Sequence, residues 1–244
     1  MNDILSSDLI KEFTKNKTGL IGIGILLTLV MISLIAAVTV PIDTFKQWNN
    51  PSNWISYPKT SMPIWVNYFV AEKIPEHVII ENPATISKEG EISVTSHQFE
   101  VEFLSDDFPN GFIYEFTAEY SGSPLLQIHV VRPDQAKILL LSTSLPNSET
   151  KIVHSERIFS TDDTIRKNIQ IQSAAMGFYR EGIPNEDLIF AGNEEKILKG
   201  NYLFLVNLYD VNEHTKIINS KLILGGKVFG IMGTDELRRD IMVG

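Results

Sequence analysis

Cysteine is absent from the 244 residues, which removes disulfide frameworks, thiol catalysis and Cys-ligated zinc from consideration. Basic residues are also scarce: 21 Lys and Arg stand against 30 Asp and Glu, a net charge of −9. Nucleic acid needs a positive footprint, and no run of Lys or Arg interleaved with aromatic residues supplies one, so no nucleic-acid partner is expected. The five histidines, His77, His97, His129, His154 and His214, show none of the i, i+2 or i, i+4 spacings that preset a metal site. No G-x-S-x-G elbow, phosphate-cradling P-loop or dinucleotide fingerprint occurs. The expectation is a protein that is not an enzyme and holds no cofactor and no metal.

What is present is unevenly distributed. Charge vanishes between Lys17 and Asp43, where TGLIGIGILLTLVMISLIAAVTVPI runs from Thr18 to Ile42. A helix rising about 1.5 Å per residue needs roughly 20 apolar residues to cross a hydrocarbon layer about 30 Å thick. Thirteen Ile, Leu and Val residues lie between Leu20 and Val40, favouring insertion by roughly 4–8 kcal/mol. The run is too long for the apolar part of a cleaved signal. Lys11, Lys15 and Lys17 precede it and only Lys46 follows closely, so the expected orientation is N-terminus in the cytoplasm and the rest outside, with the chain in the plasma membrane. Gly24 with Thr28, and Ser33 with Ala37, form small-xxx-small pairs of the kind that let helices approach. Residues 1–17 form a cytoplasmic leader, with Leu5, Leu9 and Phe13 on one face of an amphipathic helix.

Residues 43–75 hold all three tryptophans, and prolines at 51, 58, 63 and 75 forbid a long helix. Trp48, Trp54, Tyr57, Trp65 and Tyr68 suit the headgroup layer, so a membrane-proximal collar touching lipid is expected. From residue 76 to 230 the pattern turns to β. FIYEFTAEY places Phe112, Tyr114, Phe116 and Ala118 on one face and Ile113, Glu115, Thr117 and Glu119 on the other. QFEVEFL, LLQIHVV, KILLLSTSL, NYLFLVNLY and KIINSKLIL read as further strands, the last two joined as a hairpin by DVNEHT. Asp106–Asp107 fits a turn, and Asp162–Asp163 a helix start. The helix capped by Thr161 or Asp162 would show Ile165, Ile169, Gln172 and Met176. Short strands with frequent turns predict a mainly β extracytoplasmic domain, an antiparallel β-sandwich with one helix, tethered to a single N-terminal transmembrane helix. Between residues 43 and 232 there are 16 Lys and Arg against 24 Asp and Glu, so the acidity belongs to this outer domain.

The chain closes on GTDELRRDIMVG, residues 233–244. This stretch resembles the Gly-Thr-Asp-x-x-Gly-Arg-Asp signature of C-type permease subunits in dipeptide, oligopeptide and nickel ABC transporters. The N-terminal EFTKNKTGLIGIGILL is similar to that family's basic leader and first helix. WNNPSNW and PKTSMPIWVNYF are similar to the segment after helix one in versions with an enlarged outer loop. Gly233, Thr234, Asp235, Arg239 and Asp240 fall on the signature, and Arg238 stands where the family has glycine. The resemblance implies that residues 231–244 lead toward a second membrane helix, and that the chain is the N-terminal portion of an importer permease for peptides or similar small solutes, nickel included. It further implies partners: a second permease subunit, ATPase subunits and an extracytoplasmic solute-binding protein. One helix encloses no path for a polar solute, so the chain is not expected to transport alone. The alternative is a free-standing, membrane-anchored binding or adhesion domain. Asp235 and Asp240 are expected to shape the turn by accepting hydrogen bonds, with Arg239 paired to one of them.

Overall fold

A computed structural model describes residues 16–39, 48–81, 83–88, 92–192, 196–210 and 215–242. The described residues divide into two units, one ending at Asn53, the other Trp54–Met242. In the first, α1 (Lys17–Thr39) is a 23-residue helix, about 35 Å long at its standard rise. It is exposed along its length, and it is the helix among the described residues that is long and apolar enough to cross a membrane. The Asn16 side chain caps it, accepting from Thr18 N at 3.0 Å. Inside it, the Thr28 hydroxyl donates to the Gly24 carbonyl at 2.8 Å, so its polar group is satisfied within the helix. The expected leader helix with Leu5, Leu9 and Phe13 lies outside the described residues, as do residues 40–47.

In the second unit, β1 (Val78–Ile80), β9 (Lys216–Leu224), β4 (Phe112–Gly122) and β7 (Ser148–Phe159) form one sheet in that order. The other runs β2 (Ala84–Lys88), β3 (Ser93–Phe103), β8 (Gly200–Asp210), β5 (Leu125–Val131), β6 (Lys137–Ser144). Every pairing is antiparallel. The result is the expected sandwich. Phe112, Tyr114, Phe116, Ala118 and Tyr120 of β4 are buried, while the alternate residues are half-buried on the outer face. Phe99, Val101 and Phe103 of β3 and Tyr202, Phe204, Val206 and Leu208 of β8 line the opposite wall. Rings interlock across the layer, Phe112 against Phe204 at 5.4 Å and Phe99 against Tyr114 at 5.9 Å.

The expected β8–β9 hairpin is not there. β8 pairs with β3 and β5, whereas β9 pairs with β1 and β4 in the other sheet. Both strands carry apolar inner faces that need an opposing wall, and placing them in opposed sheets supplies it: β9 meets β3 at Ser220 and His97, and β8 meets β4 at Phe204 and Phe112. A two-residue turn would have forced pairing, but the five residues between Asp210 and Lys216 are ample to bridge sheets about 10 Å apart.

The β6 edge is covered by α2 (Asp163–Ala175), which begins after Asp162 and buries Ile165, Ile169 and Ser173. Gln172 behaves as a backbone substitute: Leu139 N donates to its Oε1 at 2.9 Å, and its Nε2 donates to Leu139 O at 2.7 Å. Asn168 Nδ2 donates to Leu140 O at 3.0 Å. The ladder of β5 and β6 shifts register here, and the two amides occupy strand groups that would otherwise invite another chain. Met176 departs from expectation: it is the C-cap and is exposed, because the helix ends before it and the chain turns through Gly177 at φ +83°.

Candidate functional site

The region that the sequence divided into collar and terminal segment is one construction. The expected breaks at residues 75/76 and 230/231 are not breaks in packing, since Trp54–Met242 is a single unit. Pro58 and Pro63 keep the incoming chain out of a long helix, so it runs as a turn at Trp54–Tyr57 and a short 3-10 turn, Ile64–Tyr68. The returning chain follows β9 and lies against it: Met62 N donates to Lys227 O (3.0 Å), Phe229 N to Met62 O (2.8 Å), and Ile64 N to Gly230 O (2.9 Å). Isolated parallel bridges join Val228 to Met62 and to Glu76.

Gly233 to Asp240 close this zipper with a compact turn. Gly233 has φ +77°, and a Cβ there would lie 2.3 Å from Ser61 O, so both conformation and proximity require glycine. Thr234 is buried; its Oγ1 accepts from Ser61 N at 3.0 Å and donates to Pro58 O at 2.7 Å. The Asp235 carboxylate accepts from Leu237 N and Arg239 N, both at 2.9 Å, and from the Arg239 guanidinium at 2.6–2.7 Å. Partial burial pulls its pKa up, but the bonds from Arg239 and the two backbone N–H groups outweigh that and hold it below the usual value. Asp240 accepts from Met242 N at 2.9 Å, and its backbone bridges Thr234. Arg238 sits at φ +67°, the left-handed region that costs a side-chain-bearing residue about 1–2 kcal/mol. Its guanidinium donates to Tyr57 O at 2.9 Å and Ile55 O at 3.3 Å, so the arginine ties the turn to the incoming strand.

The aromatic residues separate into two groups. Trp54 is buried, 5.6 Å from the Tyr57 ring, and Tyr57 packs edge-on against Phe229 at 5.2 Å. Trp48 belongs to the first unit and is half-buried. Trp65 and Tyr68 are exposed. The headgroup-facing role expected for Trp54 is therefore corrected: its ring is buried beside Tyr57, which is itself half-buried and edge-on to Phe229 of the returning chain.

His77 was not singled out by spacing, yet it is the pivot of this end. Its Nδ1 accepts from Gly226 N at 3.3 Å, which leaves Nε2 protonated and donating to Ser56 O at 2.9 Å. Burial pushes its pKa down to about 4; the bond to Ser56 raises it, and the nearby Arg238 charge lowers it. The imidazole is neutral with both nitrogens engaged, so it is no free base. It adjoins a cavity of about 370 Å³ that Tyr57, Lys59, Asn110, Ser160 and Arg238 also line. Below pH 6.5 the unfolded chain takes up a proton that the native ring refuses until about pH 4, so stability falls as pH drops through that window. Asp187 works in the opposite direction. Burial first, then Glu186, pushes its pKa up to about 6, so it gains a proton in the native state before the unfolded one does. Comparison with His77→Asn isolates the first effect. The wild type should lose up to about 3 kcal/mol of its advantage between pH 7 and 4 in urea titrations, and a pH-independent difference would refute the assignment.

Midway along β3 and β9, His97 Nδ1 and Ser220 Oγ meet at 2.6 Å, both buried, beside a cleft of about 520 Å³. The contact is that of a nucleophile and its base, but no third group orients His97 Nε2 among the described residues. No cluster of three metal-ligating side chains occurs among them either. On the outer sheet face, Glu115 is held by Arg157 and by Lys221 at 2.8 Å.

No family model matches the chain, and no curated protein matches it. Solved structures give distant likenesses. A carbohydrate-binding module, TmCBM61 in complex with β-1,4-galactotriose, is 8% identical over 70% of this chain and 98% of its own, with a TM-score of 0.26. The non-crystalline-cellulose-specific module CBM28 is 6% identical over 63% and 75%, with a TM-score of 0.25. The structure of infectious bursal disease virus Gx strain is 9% identical over 63% and 32%, with a TM-score of 0.29. Scores this low carry nothing about what this chain binds.

Proposed function

We propose that the chain is the anchor and extracytoplasmic domain of a permease subunit in a peptide-type ABC importer. In this role α1 crosses the plasma membrane with its N-terminus in the cytoplasm, and the sandwich stands outside, where it receives the solute-binding protein. One observation carries the proposal. The strand entering the sandwich and the strand leaving it are bonded side by side, and the leaving strand ends in the Gly233–Asp240 turn. A domain inserted between a membrane helix and a following signature needs adjacent ends of this kind. The turn's internal bonds match the structural roles that the signature residues were expected to play. Arg238 at a positive φ also stands where the resembling family has glycine, the residue best suited to that conformation. One helix encloses no path for a polar solute, so transport would draw on further membrane helices and on a separate ATPase.

The test is tagged capture from membranes in mild detergent, with cross-linking at outer positions. Co-purification of an ATPase subunit and a multi-helix permease subunit, with the sandwich cross-linked to a solute-binding protein, is expected. Recovery of the chain free of all three would sink the proposal. That result would favour a free-standing anchored binding domain, which the sandwich's self-contained core also suits.

A further inference from the structure

The 3-10 turn Ile64–Tyr68 is built inside out. Its single buried residue is Asn67, whose side chain accepts from Ile74 N at 2.9 Å and donates to Ile74 O at 3.0 Å. Around it Trp65 is exposed, Tyr68 is 83% exposed and Phe69 82%. A segment that buries its amide and presents three aromatic rings is arranged for surroundings that are not plain water. The rings do not stand alone. Trp65 Nε1 donates to Ile231 O at 2.9 Å, and Trp65 lies edge-on to Phe69 at 6.2 Å. Ile241 N donates to Gly233 O at 3.1 Å, which ties Ile241 to the residue that follows Met232. Ile231, Met232 and Ile241 are all exposed. Both ends of the sandwich domain thus contribute to one apolar surface.

We infer that this surface lies in the outer headgroup and upper acyl layer of the membrane that α1 crosses. This rests on the proposed anchoring. Residues 40–53 join the end of α1 to Trp54. A chain of that length spans at most about 50 Å, so the sandwich is held close to the bilayer. The surface lies at the sandwich end where the tether arrives, because Trp54–Phe69 is the incoming segment. Its composition fits a boundary layer: Trp65 has its only polar group satisfied by Ile231 O, and Tyr68 carries a hydroxyl for the wet side. Trp54 and Tyr57 take no part. The terminal turn does, so the returning strand is delivered to the membrane surface alongside the incoming one.

The absence of native cysteine makes single-cysteine spin labelling direct. The full chain would be reconstituted in phosphatidylcholine–phosphatidylglycerol vesicles with labels at Tyr68→Cys, Met232→Cys, Leu27→Cys and Ser87→Cys. Tyr68, Met232 and Leu27 are exposed apolar or aromatic sites, and Ser87 is an exposed residue of β2. Collision rates with oxygen and with a water-soluble nickel chelate are then compared. The labels at 68 and 232 should favour oxygen over the chelate several-fold relative to the label at 87, with the label at 27 deeper still. If 68 and 232 resemble 87 while 27 stays lipid-exposed, the inference fails and the anchoring stands. Shielding of 68 and 232 from both reagents means that protein covers the surface, which also overturns it. A chelate-accessible label at 27 removes the anchoring and this inference together.

Discussion

Replacing Arg132 by alanine is expected to lower stability by about 3–5 kcal/mol, the cost of breaking a buried charged network. Arg132 is 2% exposed, and its guanidinium serves four acceptors. It donates to Leu188 O at 3.2 Å and Ala191 O at 2.9 Å, and grips both oxygens of Asp134 at 2.9 and 3.2 Å. Its central carbon also lies 3.9 Å over the Phe178 ring. Alanine leaves the buried Ala191 O without its donor, at roughly 1–3 kcal/mol, takes from Leu188 O one of two donors, the other being Ala191 N at 3.1 Å, and opens a cavity under Phe178. Asp134 is 43% exposed and regains water, so it adds little to the loss. Lysine should rescue poorly, since one ammonium cannot reproduce a planar fork that is also stacked on a ring. Urea titration gives the magnitude. Hydrogen exchange should speed first in the 3-10 segment Asn185–Phe190, whose carbonyl the arginine holds. A loss below about 1 kcal/mol would show that water substitutes for the guanidinium.

Gly226→Ala should be comparably damaging, at about 3 kcal/mol or more, for a purely steric reason. A Cβ at this position would lie 2.0 Å from His77 N and 2.3 Å from the Glu76 carbonyl carbon, distances no real contact shows. The obstacles are backbone, so no side-chain rotation relieves them. Two contacts depend on this approach: Gly226 N donating to His77 Nδ1, and Lys227 N donating to Pro75 O at 2.8 Å. Pushed away, residues 226–241 would lose their register against Met62 and Ser61. Exchange protection at Val228, Phe229 and Thr234 should then fall while the β4 and β8 amides keep theirs. Gly22→Ala is the matching control, since a Cβ there meets nothing within 4 Å. Equal stability of Gly226→Ala and wild type would mean that the close approach is not maintained in solution.

The two variants lie on opposite sides of what can be read from the chain. Arg132 follows the strand LLQIHVV and looks like a turn charge before Pro133 and Asp134. Nothing local indicates burial, because Leu188, Ala191 and Phe178 arrive from about fifty residues downstream to enclose it. Gly226 belongs to a visible Gly-Gly pair after a strand, a signal of close backbone approach, although its partner His77 is 149 residues away. The alternation of β4 was legible because period-two burial is a local property. The β8–β9 connection was not, because a five-residue linker permits pairing and crossing equally, and the choice is made by the opposing wall.

By itself, the sequence determined what depends on local composition and period: an apolar run long enough to span a bilayer, a mainly β body with one helix, and a terminal Gly-Thr-Asp segment shaped as a turn. Tertiary structure alone decided which aromatic rings face inward, which strands share a sheet, and that incoming and returning chains form one zipper. Hydrophobic period specifies that a face will be buried, but the covering surface comes from residues far away in the chain. Trp54 and Trp65 stand in similar surroundings along the chain. The first is buried beside Tyr57, and the second remains exposed on the outer surface.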